Sequence, residues 1–227
     1  MVKATGIHHL AIMSADIKSQ IEFFSDVLGC KLSAIFDMHG VPGGIHAFLH
    51  LDDHCYFSVV QLPSVKDIPT EIGVTHAGTG AGPCAAGTMQ HLAFKVDTSE
   101  QLIAIRDRIR TKGVNVIGPI NHGMCQSIYF GGPENMVLEV ATSDAEIDQK
   151  AWVDPSVLEK VGISAEEAER YQNPDAYDGE GGTVKQPPYD PDKPHHAYAK
   201  ELYMQMLQAP DEVIWKTASF AEPPVKV

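Results

Sequence analysis

The sequence predicts an α+β protein in which one strand-helix-three-strand unit (βαβββ) is used twice, followed by a partly helical C-terminal extension. Two observations carry that reading. His9-Leu10-Ala11-Ile12 returns as His91-Leu92-Ala93-Phe94, and each run closes on an aspartate, Asp16 and Asp97. In each case an apolar strand-like run, a capped amphipathic stretch and a glycine stop follow in the same order.

In the first copy Ile7 to Met13 reads as a strand, and Asp16 caps a helical stretch carrying Ile17, Ile21, Phe24 and Val27 that stops at Gly29. Strand-like runs follow at Ala47 to Leu51 and Tyr56 to Leu62. The second copy begins with a strand over Gln90 to Val96. Asp97 or Ser99 caps an amphipathic helix at Leu102 to Ile109, and Gly113 closes it before strands at Val114 to Ile117, Ser127 to Phe130 and Met136 to Val140. The copies span about residues 5–63 and 88–143 of a paired-module region, 1–145. Between them Pro63 to Gly87 is rich in glycine and proline and too long for an ordinary connection, which marks it as functional. Residues 146–227 change character. Helical patches at Pro155 to Val161 and Ala165 to Tyr171 give way to a proline-rich stretch and then a helix from Ala197 to Ala209. Apolar Trp152, Tyr203, Met206 and Trp215 there predict a wrapping tail that packs on the modules or on a second subunit of a homodimer.

Composition narrows the function. A formal net charge of −13, with no cluster of Lys and Arg, excludes nucleic acid as the expected partner. The apolar runs are strand-length, so no membrane span is expected. The four cysteines have no CxxC spacing, which suits a reducing cytoplasmic setting.

Alternation along the first strand puts His9, Ala11 and Met13 on one face and His8, Leu10 and Ile12 on the other. His9 is the residue in register with His91, and small Ala11 and Ala93 leave room beside each. Glu139, within the apolar run Met136 to Val140, is a charged group in a strand. Two histidines and a carboxylate are the donor set of an open metal site, and His9, His91 and Glu139 are its candidate ligands. Arg106, Arg108 and Arg110 read as the solvated face of a helix, and His46 and its neighbouring histidines as structural.

This layout resembles the vicinal oxygen chelate superfamily of glyoxalases, bleomycin- and fosfomycin-resistance proteins and extradiol dioxygenases. The resemblance rests on the histidine opening each first strand, the aspartate before the helix, Phe24, Leu28 and Gly29 at the helix end, and Gly132-Pro133-Glu134-Asn135 before the Glu139 strand. It covers roughly residues 5 to 143 and implies paired modules forming a cupped mixed sheet around a metal. Laying Tyr56 to Val59 on Val137 to Val140 puts Ser58 where a glyoxalase-type enzyme carries a further ligand carboxylate, which counts against that chemistry. His76, fifteen residues before His91, Tyr129, ten before Glu139, and His122 stand near the places of the acid/base and substrate-binding residues of extradiol dioxygenases. The resemblance therefore implies an Fe(II) enzyme, with Mn(II) as the alternative ion, that opens a catechol-like aromatic diol with dioxygen. A glyoxalase-like isomerase, lyase or hydrolase and a small-molecule sequestering protein are the other classes the fold hosts.

Overall fold

In a computed structural model, which describes residues 2–226, the chain forms two compact units. The larger, Thr5–Asn173, holds the paired modules and three short helices, α3 (Gln149–Trp152), α4 (Pro155–Lys160) and α5 (Ala165–Gln172). The other consists of residues 174–226 with residues 2–4 and carries α6 (Lys200–Gln208) and α7 (Asp211–Ala218). Within that second unit Tyr189, His195, Tyr198 and Tyr203 form a ring cluster, while Trp215 is 77% exposed.

The first module runs β1 (His9–Met13), α1 (Ile17–Phe23), β2 (Lys31–Asp37), β3 (Ile45–Asp52) and β4 (Cys55–Gln61). The second runs β5 (Leu92–Lys95), α2 (Ser99–Thr111), β6 (Val116–Asn121), β7 (Gln126–Gly131) and β8 (Val137–Thr142). The duplication is therefore real, element for element. The sheet orders are β1-β4-β3-β2 and β5-β8-β7-β6, each with one parallel pair, β1 with β4 and β5 with β8. Two separate four-stranded sheets result, and among the described residues no strand of one pairs with a strand of the other.

Local chemistry sets the elements. The Asp16 carboxylate accepts from the Ser19 amide at 3.1 Å and starts α1. A π-helical turn, Phe24–Leu28, continues it to Gly29, whose φ of 84° lies in the left-handed region that glycine enters freely. At α2 the cap is Thr98 rather than Asp97 or Ser99: its hydroxyl accepts from the Gln101 amide. The strand Lys31–Asp37 and helix α7 went unread in the sequence.

One hydrophobic core serves both modules. Phe24 and Phe57, both fully buried, have ring centroids 4.2 Å apart, and Phe94 of the second module lies 5.9 and 6.0 Å from them. Ala47, Leu49 and Val59 join from the first sheet, and Ile128, Leu138 and Val140 from the second. Two polar staples cross the seam in opposite directions. Arg108 on α2 donates through Nε to the Val27 carbonyl (3.0 Å) and through Nη2 to those of Asp26 (3.1 Å) and Ser25 (3.4 Å), at the end of the first helix. The sequence reading of Arg108 as a merely solvated side chain is thereby corrected: its guanidinium reaches carbonyls at the C-terminal end of the first helix, of which Ser25 also accepts from the Gly29 amide. Glu134 of the second module accepts from the Ala15 amide (2.7 Å) and from Gln20 Nε2 (2.6 Å), at the start of the first helix. Both modules thus turn their helix-bearing faces to the common core and leave their other faces outward.

Candidate metal and substrate site

The outward faces carry the side chains of interest. Along β1 the exposed positions are His9, Ala11 and Met13, whereas Leu10 and Ile12 turn inward; along β5 Ala93 and Lys95 are exposed and Leu92 and Phe94 half-buried. His91 immediately precedes β5. Strand register makes the two modules comparable atom row by atom row. In the first, Ala11 pairs with Ser58 and Ser58 with Phe48; in the second, Ala93 pairs with Glu139 and Glu139 with Tyr129. Ser58 therefore occupies the place of Glu139, as the sequence alignment of the two copies required.

In the second module the candidates come together. His91 Nε2 lies 3.0 Å from Glu139 Oε2, and Glu139 is only 5% exposed although it stands on the outward face. Tyr129, on the neighbouring strand, has its ring centroid 6.4 Å from that of His91, and its hydroxyl is 3.1 Å from His122 Nε2. Burial, and after it the Glu139 carboxylate, push the Tyr129 phenol above its usual value, so it stays a hydrogen donor at any physiological pH. His91 Nδ1 is hydrogen-bonded to Gln90 Oε1. With Nδ1 carrying the hydrogen of that bond, Nε2 is the ring nitrogen turned toward Glu139, and the two groups present a nitrogen and a carboxylate to a cation arriving beside them. His122 thus reaches the site. Gln90 was missed in the sequence, where an amide beside a histidine gives no signal.

His76 lies in the long loop, half-buried, with Nδ1 2.9 Å from the Thr75 hydroxyl. Among the described residues no hydrogen bond joins it to His91, Glu139 or Tyr129. The same loop nevertheless approaches the site: a Cβ at Gly80 would sit 3.4 Å from Tyr129 Cε1.

His9 belongs to the other face. Its Nδ1 is 3.0 Å from His8 Nδ1, and its ring centroid is 5.4 Å from that of Phe48. His46, whose Nε2 bonds the buried Ser58 hydroxyl, is held below the usual histidine value by burial and then by the neighbouring His9. The first module thus pairs a neutral imidazole with a serine where the second pairs an imidazole with a carboxylate. Among the described residues no three His, Cys, Asp or Glu side chains stand close enough to hold one metal ion. The chemistry of the donor set explains this: His91 and Glu139 fit as two ligands of an open site, and the third, His9, is presented on a different sheet of the same chain.

The four cysteines are free, and burial raises Cys30 to about 11. Among the described residues no helix is long and apolar enough to cross a membrane.

The family model described as the Glyoxalase/Bleomycin resistance protein/Dioxygenase superfamily matches residues 6–140. Solved structures to which part of the chain is similar include a glyoxylase/bleomycin resistance protein/dioxygenase domain from Frankia sp. EAN1pec, at 13% identity and a TM-score of 0.48, covering 62% of this chain and 99% of that one. The antibiotic binding protein TnmS3 from Streptomyces sp. CB03234 aligns at 19% identity and a TM-score of 0.44, over 63% of this chain and 100% of that one. The fosfomycin resistance protein FosX from Listeria monocytogenes aligns at 18% identity and a TM-score of 0.42, over 64% and 98%. A search of curated proteins found no match. With both βαβββ modules built and the family model spanning them, the chain belongs to the glyoxalase/bleomycin resistance protein/dioxygenase superfamily.

Proposed function

We propose that the protein is a metal-dependent dioxygenase of the extradiol type that opens a catechol-like aromatic diol, with Fe(II) as its ion and Mn(II) as the alternative. The observation that carries this reading is the single face on which His91, Glu139, Tyr129 and His122 follow one another. Two ligand-type groups and two hydrogen-bonding groups meet there, beside small Ala93. Ser58, standing in the place of a second carboxylate, supports oxygen chemistry over a glyoxalase-like proton shuttle, which needs a basic carboxylate.

When bound, the ion supplies Lewis acidity to the oxygens of the diol and redox chemistry toward dioxygen. The remaining work falls to the chain. Tyr129, kept protonated, donates to a substrate oxygen; His122, bonded to its hydroxyl, fixes the direction of that donor. His76 is assigned the proton transfer that accompanies ring opening, delivered from the loop that already lies against Tyr129.

The third ligand is assigned to His9 of the partner subunit in a homodimer, because the two outward faces of one chain carry complementary parts of the set. The C-terminal extension, with Trp215, Leu202 and Met206 exposed, is assigned to the seam of that dimer. A two-fold assembly would complete two identical sites at once.

The test combines two measurements. Anaerobic loading with Fe(II), then oxygen uptake over a panel of aromatic diols, should show consumption with at least one of them, and His76→Phe should keep the metal while losing roughly a hundredfold in turnover. Metal bound without oxygen consumption would sink the oxygenase reading in favour of a non-oxidative lyase or isomerase. His9→Ala and His91→Ala, each deficient in metal alone, should regain bound metal on mixing and re-equilibration; no recovery would refute the shared site.

A further inference from the structure

Gln90 stands between the long loop and the candidate site and uses its whole amide. Its Nε2 lies 3.2 Å from the Thr79 carbonyl oxygen and 3.0 Å from that of Gly82, and its Oε1 is bonded to His91 Nδ1. The orientation follows from donor and acceptor chemistry alone. Carbonyl oxygens only accept, so the amide nitrogen must face the loop; the amide oxygen then faces His91, and Nδ1 must supply the hydrogen. The imidazole is therefore held with Nε2 toward Glu139, the direction in which it lies 3.0 Å from Oε2.

The loop end of this contact is equally well defined. The Gly82 amide donates to the Thr79 carbonyl at 3.1 Å, closing a tight turn. Gly82 has no room for a side chain, since a Cβ would fall 2.0 Å from the Ala77 carbonyl oxygen, and a Cβ at Gly80, at the turn's crest, would come 3.4 Å from Tyr129 Cε1. The same turn thus passes close to Tyr129 and reaches His91 through Gln90.

We propose that Gln90 is a positioning residue that latches the Thr79–Gly82 turn to His91, so that seating of the loop over Tyr129 and the aim of His91 Nε2 at Glu139 are set by one side chain. The inference rests on the metal-site reading only for what Nε2 finally binds. Residues that orient a metal-binding histidine through its second nitrogen commonly change metal affinity by ten- to a hundredfold.

Two substitutions each keep one half of the latch. Gln90→Glu retains an acceptor for His91 Nδ1 and loses the donors to the loop. Gln90→Lys retains donors for the loop carbonyls and loses the acceptor. The readouts are the slowly exchanging ring N–H signal of His91 in nitrogen-15 spectra, assigned by its loss in His91→Asn, hydrogen exchange of residues 79–88, and affinity for Mn(II). Gln90→Glu should keep the ring signal and speed loop exchange about tenfold. Gln90→Lys should lose the ring signal, weaken Mn(II) binding about tenfold or more, and leave loop exchange near that of the parent. Identical behaviour of the two variants, or a ring signal and loop exchange unchanged in both, would overturn the proposal. A parent protein that binds no Mn(II) or Fe(II) would instead sink the metal reading, with the ring signal and the loop exchange still deciding Gln90.

Discussion

Arg108→Ala is the sharpest test of how the two modules are joined. The guanidinium donates three hydrogen bonds to carbonyls at the end of the first helix, at 3.0, 3.1 and 3.4 Å, and lies flat over Gly29, where a Cβ would meet its Cζ at 3.1 Å. A hydrogen bond to a charged group contributes about 1.5–3 kcal/mol when sheltered. Arg108 is largely exposed and water can replace part of what is lost, so the three contacts together are discounted to about 1.5–2 kcal/mol. In a unit of this size that corresponds to a fall of about 3–8 °C in Tm. Arg108→Lys should recover less than half, because an ammonium is a single point donor and cannot span three carbonyls as the planar fork does. Thermal unfolding followed by circular dichroism, with urea titration for the free energy, measures both variants. A loss in Arg108→Ala below about 0.5 kcal/mol, or full recovery in Arg108→Lys, would refute the reasoning that this side chain staples the second module to the first.

Two further outcomes are expected. Tyr129 should ionise above its ordinary value of 10.0 in the folded chain, read by ultraviolet titration, and Glu139→Gln should bring it back toward that value. Since the folded phenol resists ionisation, its contribution to stability is complete below pH 10 and is lost as the pH rises beyond it; an unshifted titration would refute the placement of Glu139 beside the hydroxyl. Cys30, buried and raised to about 11, should react with iodoacetamide at pH 8 only on unfolding, whereas rapid native labelling, located by mass spectrometry, would contradict its place in the shared core.

The sequence by itself determined the repeated unit. Hydrophobic period, the Asp16 cap and the Gly29 stop are local signals, and each produced the element it announced because short-range geometry alone decides them. The His9 and His91 register, the correspondence of Ser58 with Glu139, and the grouping of His91, Glu139, Tyr129 and His122 were also legible, since strand alternation and a common repeat fix which residues share a face. The strand Lys31–Asp37 was not read: three exposed residues open it, and its apolar Leu32 and Ile35 are themselves exposed. Tertiary structure alone decided how the two modules face each other. Arg108 and Glu134 look like solvated charges until the opposite module brings carbonyls and amides to them, and Phe24, Phe57 and Phe94 become one core only when helix-bearing faces meet. With helix-bearing faces inward, His9 on the first sheet and the His91–Glu139 pair on the second form no common cluster of ligands among the described residues, a consequence of long-range packing that no local pattern in the chain encodes.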